Sequence, residues 1–258
     1  MSQFEIIQND ISTAFCISTK NPNEVILDCI SSINLYYNNA VIHIIDSDSS
    51  DMQFYQRIKN EFPEIKIHLC KNKNWELGAW KYAVNNIKAD NLILLQDGLS
   101  FKKYIEFDFE MNDCYIFVGG SPQGFNTCHH DVKYQKGMHY LVDESKYKDI
   151  CWKNWNNTYQ PYKRLIKARR EYDQNELKSA EGVGVDIKRF ETTMHNAFGI
   201  KKRIFENIIN DENFIKLPTL KEHSELTERI LSLVWKQNQL KVSHIHVNDY
   251  KKISRYLP

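Results

Sequence analysis

Residues 92–96, Leu-Ile-Leu-Leu-Gln, place four apolar side chains in succession and run directly into Asp97 and Gly98. A half-exposed strand alternates apolar and polar residues. An unbroken apolar run of this length, bounded by turn residues, fits a strand covered on both faces, as in a parallel sheet with helices above and below. Ligands of such sheets bind at the carboxyl ends of the strands, which is where Asp97 falls. Gly98 lets the backbone turn sharply beside it. Taken alone, Asp97 reads equally well as the acid that opens a surface turn.

The preceding segments repeat the same grammar. Residues 14–18 read as a first strand, with Thr19-Lys20-Asn21-Pro22-Asn23 as its turn; Pro22 and Asn23 suit a helix start. Val25, Ile26, Cys29, Ile30 and Ile33 then recur at helical spacing. Residues 41–45 form a second strand that runs into Asp46-Ser47-Asp48-Ser49-Ser50-Asp51, and a helix over 52–61 follows, stopped by Pro63. Residues 65–69 alternate as a third strand, and a helix over 77–87 leads into the strand at 92–96. Strands alternating with helices predict an α/β fold, a mostly parallel Rossmann-like sheet with right-handed crossovers.

Composition sets the outer bounds. The 258 residues are enough for one large α/β domain or for a domain with a helical extension. A net charge of +1 gives no electrostatic reason to expect nucleic acid as a partner. The six cysteines contain no Cys-x-x-Cys pair, and several sit inside apolar runs, so they read as buried thiols and not as a disulfide frame or a zinc site. The first ten residues carry two acids without an apolar core of signal-peptide length, and no apolar run reaches the ~18 residues of a membrane span. The expected location is the cytoplasm, or the periphery of a membrane.

Residues 14–101 resemble the nucleotide-sugar-binding half of GT-A-fold glycosyltransferases, the family-2-like enzymes in particular. Ser18-Thr19-Lys20-Asn21 and the helix Leu27-Asp28-Cys29-Ile30-Ser31-Ser32-Ile33 match that family's first turn and helix. Asp46 to Asp51 keeps the length and the outer acids of its Asp-Asp-Gly-Ser-Thr-Asp motif. Asn74, Gly78, Ala83 and Asn85 are looser counterparts of its Asn-x-Gly and Ala-x-Asn elements. Where the family has Asp-x-Asp on the fourth strand, this chain has Gln96-Asp97-Gly98, with one acid. The resemblance implies a GT-A-type fold, with residues 1–110 as the donor half and 111–258 as the acceptor half of the same domain, ending in a mainly helical region. It further implies Thr19, Asp46, Asp48, Gly78 and Asp97 as donor-site residues, with Asp97 a ligand of a divalent cation, manganese or magnesium.

Elementary chemistry supports parts of this set independently. A leaving diphosphate must be neutralised, and Mg²⁺ and Mn²⁺ take oxygen ligands while keeping positions open for substrate. Asp46, at the tip of the second strand, suits acceptance of a base-ring N–H, while Asp48 and Asp51 serve equally as loop-capping acids.

Beyond residue 101 the pattern is sparser. Residues 113–120 read as a fifth strand. Cys128-His129-His130-Asp131 reads mainly as a solvated loop, since adjacent side chains rarely converge on one ion. Trp152, Trp155, Tyr159 and Tyr162 precede the basic run 163–170, which is either a solvated helix face or a surface for sugar rings, phosphate-bearing acceptors or a membrane. Residues 195–199 resemble the late GT-A strand on the acceptor side; His195 is either a second metal or diphosphate contact or a packed core histidine. A final helix from about residue 218 carries Leu226, Ile230, Leu233 and Val234 on its apolar face, and Glu222, Glu225 and Glu228 at spacing three. Such glutamates are ordinarily a solvated face, and one of them is the candidate general base.

The expectation is therefore a transferase that moves a sugar from a nucleotide-sugar donor, UDP- or dTDP-type, to a hydroxyl of a glycan or other acceptor, with inversion. Its rival is a non-catalytic carbohydrate- or nucleotide-binding protein on the same fold, suggested by the missing second acid.

Overall fold

The computed structural model describes residues 12–118, 197–210, 238–246 and 248–252, together with positions 217, 218, 224, 231, 234 and 235. In chain order the elements are β1 (Thr13–Thr19), α1 (Glu24–Tyr36), β2 (Val41–Asp46), α2 (Gln53–Glu61), β3 (Lys66–Leu69), α3 (Trp75–Asn86), β4 (Asn91–Gln96), β5 (Leu99–Phe101), β6 (Cys114–Val118), β7 (Phe198–Lys201), α4 (Lys202–Ile209), β8 (Val242–His246) and β9 (Tyr250–Lys252). Ser224, Leu231, Val234 and Trp235 are also helical.

Seven strands form one sheet in the order β3-β2-β1-β4-β7-β6-β8, and β5 pairs with β9 in a separate two-stranded ribbon. Strands β1 to β4 are mutually parallel. β7 runs antiparallel to both of its neighbours, β4 and β6, while β8 pairs parallel to β6. The α/β class and the mostly parallel sheet therefore stand.

The unalternated run in β4 has the expected cause. Leu92 and Leu94 enter the core beneath α3 and α4, with Leu231, Val234 and Trp235. Ile93 and Leu95 enter the core on the opposite face, beneath α1 and α2, with Phe101, Phe117 and Tyr250. Asn23 caps α1, its side chain accepting from Val25 N at 3.1 Å, as the Pro-Asn turn leads one to expect. Gly199 is the position at which β7 fits between β4 and β6. A Cβ there would lie 2.8 Å from Ile93 Cδ1 and 3.3 Å from the Phe109 ring. Cys16, Cys29 and Cys114 are buried free thiols whose ionisation burial pushes far up, and Cys70 is half-buried; Cys128 and Cys151 lie outside the described residues.

Three features depart from the sequence-based outline. α3 begins at Trp75, two residues earlier than expected, with Asn74 O accepting from Gly78 N at 3.0 Å. In the final helix, Leu231 and Trp235 are buried beside Val234, so the buried stripe includes two positions outside the expected apolar face. α4, β5, β8 and β9 were not anticipated.

Candidate functional site

The carboxyl ends of β1, β2 and β4 lie side by side, because Thr19 is in register with Asp46 and Ser18 with Gln96. Three buried polar residues meet along this edge: Thr19 at 3% exposure, Asp46 at 3% and Asp97 at 6%. In a sheet edge packed by helices, polar groups this deep require partners. Thr19 Oγ1 donates to Asp97 Oδ2 at 2.5 Å, tying the end of β1 to the residue after β4. Asp97 N also donates to Ser18 O at 3.2 Å. The carboxylate is thus held in one orientation at the mouth of the sheet.

Asp46 is gripped by its own loop. Oδ2 accepts from Ser49 N at 3.0 Å, and Oδ1 accepts from Tyr55 Oη at 2.5 Å and from Ser49 Oγ. A carboxylate offers about four acceptor positions, and these contacts occupy three of them. The β1 and β2 loops are locked together by Asn21, which accepts from Ser50 N at 2.8 Å through Oδ1 and donates its own N–H to Ser49 Oγ at 2.7 Å. Ser47 N donates to Thr19 O at 2.8 Å. Asp48 is half-buried at φ 61°, and Asp51 Oδ1 accepts from Gln53 N at 2.8 Å, a capping role for that acid.

The third wall is the turn into α3. Asn72 Nδ2 donates to Ser47 Oγ at 3.0 Å and to Trp75 O at 2.6 Å, while its Oδ1 accepts from Asn74 N at 2.8 Å. Gly78 makes this seat possible, since a Cβ at that position would lie 1.9 Å from Asn72 Oδ1. Its contribution is close approach: the Asn72 side chain occupies the space that any larger residue would take. Among the described residues six non-glycine residues have positive φ, and four of them, Asn21, Asp48, Lys71 and Trp75, line this edge. Backbone in this region stores strain and persists only where surrounding contacts over-determine it, a pattern concentrated at functional sites.

The structure thus brings Thr19 and Asp97 into contact, sets Asp46 beside them and seats Gly78 against the same wall. His195, Glu222, Glu225 and Glu228 lie outside the described residues, as do the Cys128–Asp131 and 152–170 segments. Among the described residues no three His, Cys, Asp or Glu side chains gather as a metal cluster. No described helix is long and apolar enough to cross a membrane. The supporting residues Ser49, Tyr55 and Asn72 carry no signal of their role in the sequence. Tyr55 lies nine positions from the acid it serves, across a loop, so no local spacing announces it.

No family model matches the chain, and no curated protein does. Among solved structures, the crystal structure of GalNAc-T7 with UDP, GalNAc and Mn²⁺ aligns at a TM-score of 0.52 and 15% identity, over 96% of this chain and 45% of that one. S. aureus TarS 1–349 aligns at 0.45 and 11% identity, covering 93% of this chain and 59% of that one. The same TarS segment in complex with UDP-GlcNAc aligns at 0.47 and 11%, covering 95% and 60%. The chain therefore spans about half the length of these structures. At this identity the likeness bears on architecture, and it rests on the GalNAc-T7 alignment. The architecture is the GT-A fold of the glycosyltransferases.

Proposed function

We propose that the protein transfers a sugar from a nucleotide-sugar donor, of UDP or dTDP type, to an acceptor hydroxyl with inversion at the anomeric carbon. The observation that carries this reading is the buried, oriented carboxylate of Asp97 at the mouth of a GT-A sheet, hydrogen-bonded to Thr19. The neighbours' contents, UDP and GalNAc with Mn²⁺ in GalNAc-T7, support the substrate class.

In this reading the acceptor oxygen attacks the anomeric carbon, the bond from that carbon to the phosphate oxygen breaks, and the nucleoside diphosphate leaves. The acceptor proton passes to a carboxylate, for which Glu222, Glu225 and Glu228 are proposed. A bound manganese or magnesium ion would neutralise the leaving diphosphate. A single carboxylate fits such an ion where phosphate oxygens and water complete its shell, so Asp97 is its proposed ligand, with His195 as a second. Thr19 fixes the rotamer of Asp97, so no reorientation is needed as charge develops. Asp46 and Asp48 line the nucleoside side of the donor pocket. Asp46 retains an acceptor position suited to a ring imide N–H, and Gly78 shapes the wall through Asn72.

The test is turnover of a panel of UDP- and dTDP-sugars, with manganese and with a chelator, alongside calorimetry with UDP. Release of nucleoside diphosphate from at least one donor supports a transferase. UDP binding without turnover of any donor favours the non-catalytic binding protein, and absence of both removes the donor site from this edge.

A further inference from the structure

Resting on the transferase reading, we infer that Glu76 is a positioning residue that braces the helical Ser224 against the end of the strand that leads into Asp97. The observation is a three-element bridge that belongs to none of the residues assigned above. Glu76 stands in the first turn of α3. Its Oε1 accepts from Gln96 Nε2 at 2.7 Å, and its Oε2 accepts from Ser224 Oγ at 2.7 Å. Gln96 immediately precedes Asp97, Ser224 is helical, and Leu231, Val234 and Trp235 pack into the core beside α3. Asn74 Nδ2 reinforces the tie by donating to Pro218 O at 3.0 Å, six positions before Ser224 in the chain.

The bridge also explains why β4 ends in an amide and not in an acid. A carboxylate at position 96 would face the Glu76 carboxylate within hydrogen-bond distance, and two such groups cannot both ionise there without repulsion. Glutamine gives Glu76 the donor it needs. Ser224 is 5% exposed, so its hydroxyl is committed inward, and a charged acceptor makes the stronger kind of hydrogen bond. Both oxygens of one carboxylate thus fix the distance between the strand end that presents Asp97 and the helical Ser224. Displacements of about 1 Å in such spacings are enough to slow a reaction without preventing binding.

The geometry specifies which substitutions break the bridge and which preserve it. Glu76→Ala removes both contacts, and Gln96→Glu sets two carboxylates against each other. Glu76→Gln preserves the bridge, because its amide accepts from Gln96 and donates to Ser224. The exchange Glu76→Gln with Gln96→Glu also preserves it, with the direction of the first hydrogen bond reversed.

The experiment measures kcat and KM for hydrolysis of whichever UDP- or dTDP-sugar the unmodified protein turns over, with UDP affinity and hydrogen exchange in peptides containing Ser224. For Glu76→Ala and Gln96→Glu we expect kcat to fall about tenfold or more, with KM and UDP affinity within about twofold and faster exchange around Ser224. Glu76→Gln and the exchanged pair should recover kcat to within about threefold and restore slow exchange. Unchanged kcat in Glu76→Ala, or no recovery in the exchanged pair, overturns the brace while leaving the transferase reading intact. A parallel loss of UDP affinity in Glu76→Ala overturns it too, in favour of a direct donor contact. If the unmodified protein turns over no donor, the transferase reading fails first and the brace falls with it.

Discussion

Asp46 and Gly78 show how single residues build the edge of this sheet. Asp46 combines burial with three donors, two from Ser49 and one from Tyr55 of α2, and one remaining acceptor position, a shape suited to uracil or thymine, whose ring imide carries a proton that cytosine lacks. An unpaired buried acceptor costs about 1–3 kcal/mol, so UDP and dTDP should bind about five- to a hundredfold more tightly than CDP. Asp46→Ala should remove most of that preference; calorimetry with the three diphosphates on both proteins measures it, and equal affinities in the unmodified protein exclude Asp46 from base selection. Gly78→Ala tests the opposite wall. Its Cβ and Asn72 Oδ1 cannot share the same space, so Asn72 must leave Ser47 and Trp75. The expected destabilisation is about 1–3 kcal/mol, read as a lower denaturant midpoint, together with weaker UDP binding. An unchanged midpoint would mean that Asn72 moves without cost.

At the scale of elements, the seam between β2, β3 and α3 carries a titrating pair. His43 Nδ1 and His68 Nε2 lie 2.8 Å apart, the rings stack at 21°, and His68 Nδ1 meets Tyr82 Oη at 3.2 Å. Burial, then the neighbouring His68 and Lys66, push His43 down to about 4; His68 is lowered as well, by burial and then Lys66. A histidine depressed in the folded state stays neutral there while the unfolded chain protonates. Stability from His43 is therefore fully present above its unfolded pKa of about 6.5 and is lost as pH falls from there to about 4. About 2–3 kcal/mol is at stake. In His43→Gln the unfolding free energy should change less between pH 7 and pH 4.5 than in the unmodified protein, because carboxylate titrations common to both cancel in the comparison. Identical pH profiles in urea denaturation would show that His43 does not carry the effect.

This seam also marks the limit of what could be read in the sequence. β1, β2 and β4 were legible because both faces are buried, which leaves a run of apolar letters. β3 was legible through its alternation. β8, by contrast, spells Val-Ser-His-Ile-His at the sheet margin, where one half-covered face supplies too few apolar residues to stand out. β5 and β9 have three residues each and owe their existence to pairing with one another across the chain. Trp235 is buried because α4 and β7 supply Phe205 and Phe198 as ring neighbours, a tertiary fact that helical spacing cannot carry. At the site, Asp46 and Asp97 were legible as acids after strands. Thr19 was named through the resemblance, but its bond to Asp97 was not legible, because it joins positions 78 apart, and neither was the grip of Ser49 and Tyr55 on Asp46.

The described residues form a parallel half-sheet joined through the antiparallel β7 to a second set of strands, with two cores on opposite faces and polar loops gathered at one edge. The fold gives that edge its geometry, and the proposed transfer depends on the charge at Asp97. Asp97→Asn is the most direct measurement, because asparagine removes the charge while keeping the side chain's size and one oxygen to accept from Thr19. Turnover of the preferred nucleotide sugar should fall by about two decades or more, equivalent to about 3 kcal/mol of lost transition-state stabilisation, with the melting temperature retained. Near-normal turnover in a folded Asp97→Asn protein would place the chemistry elsewhere.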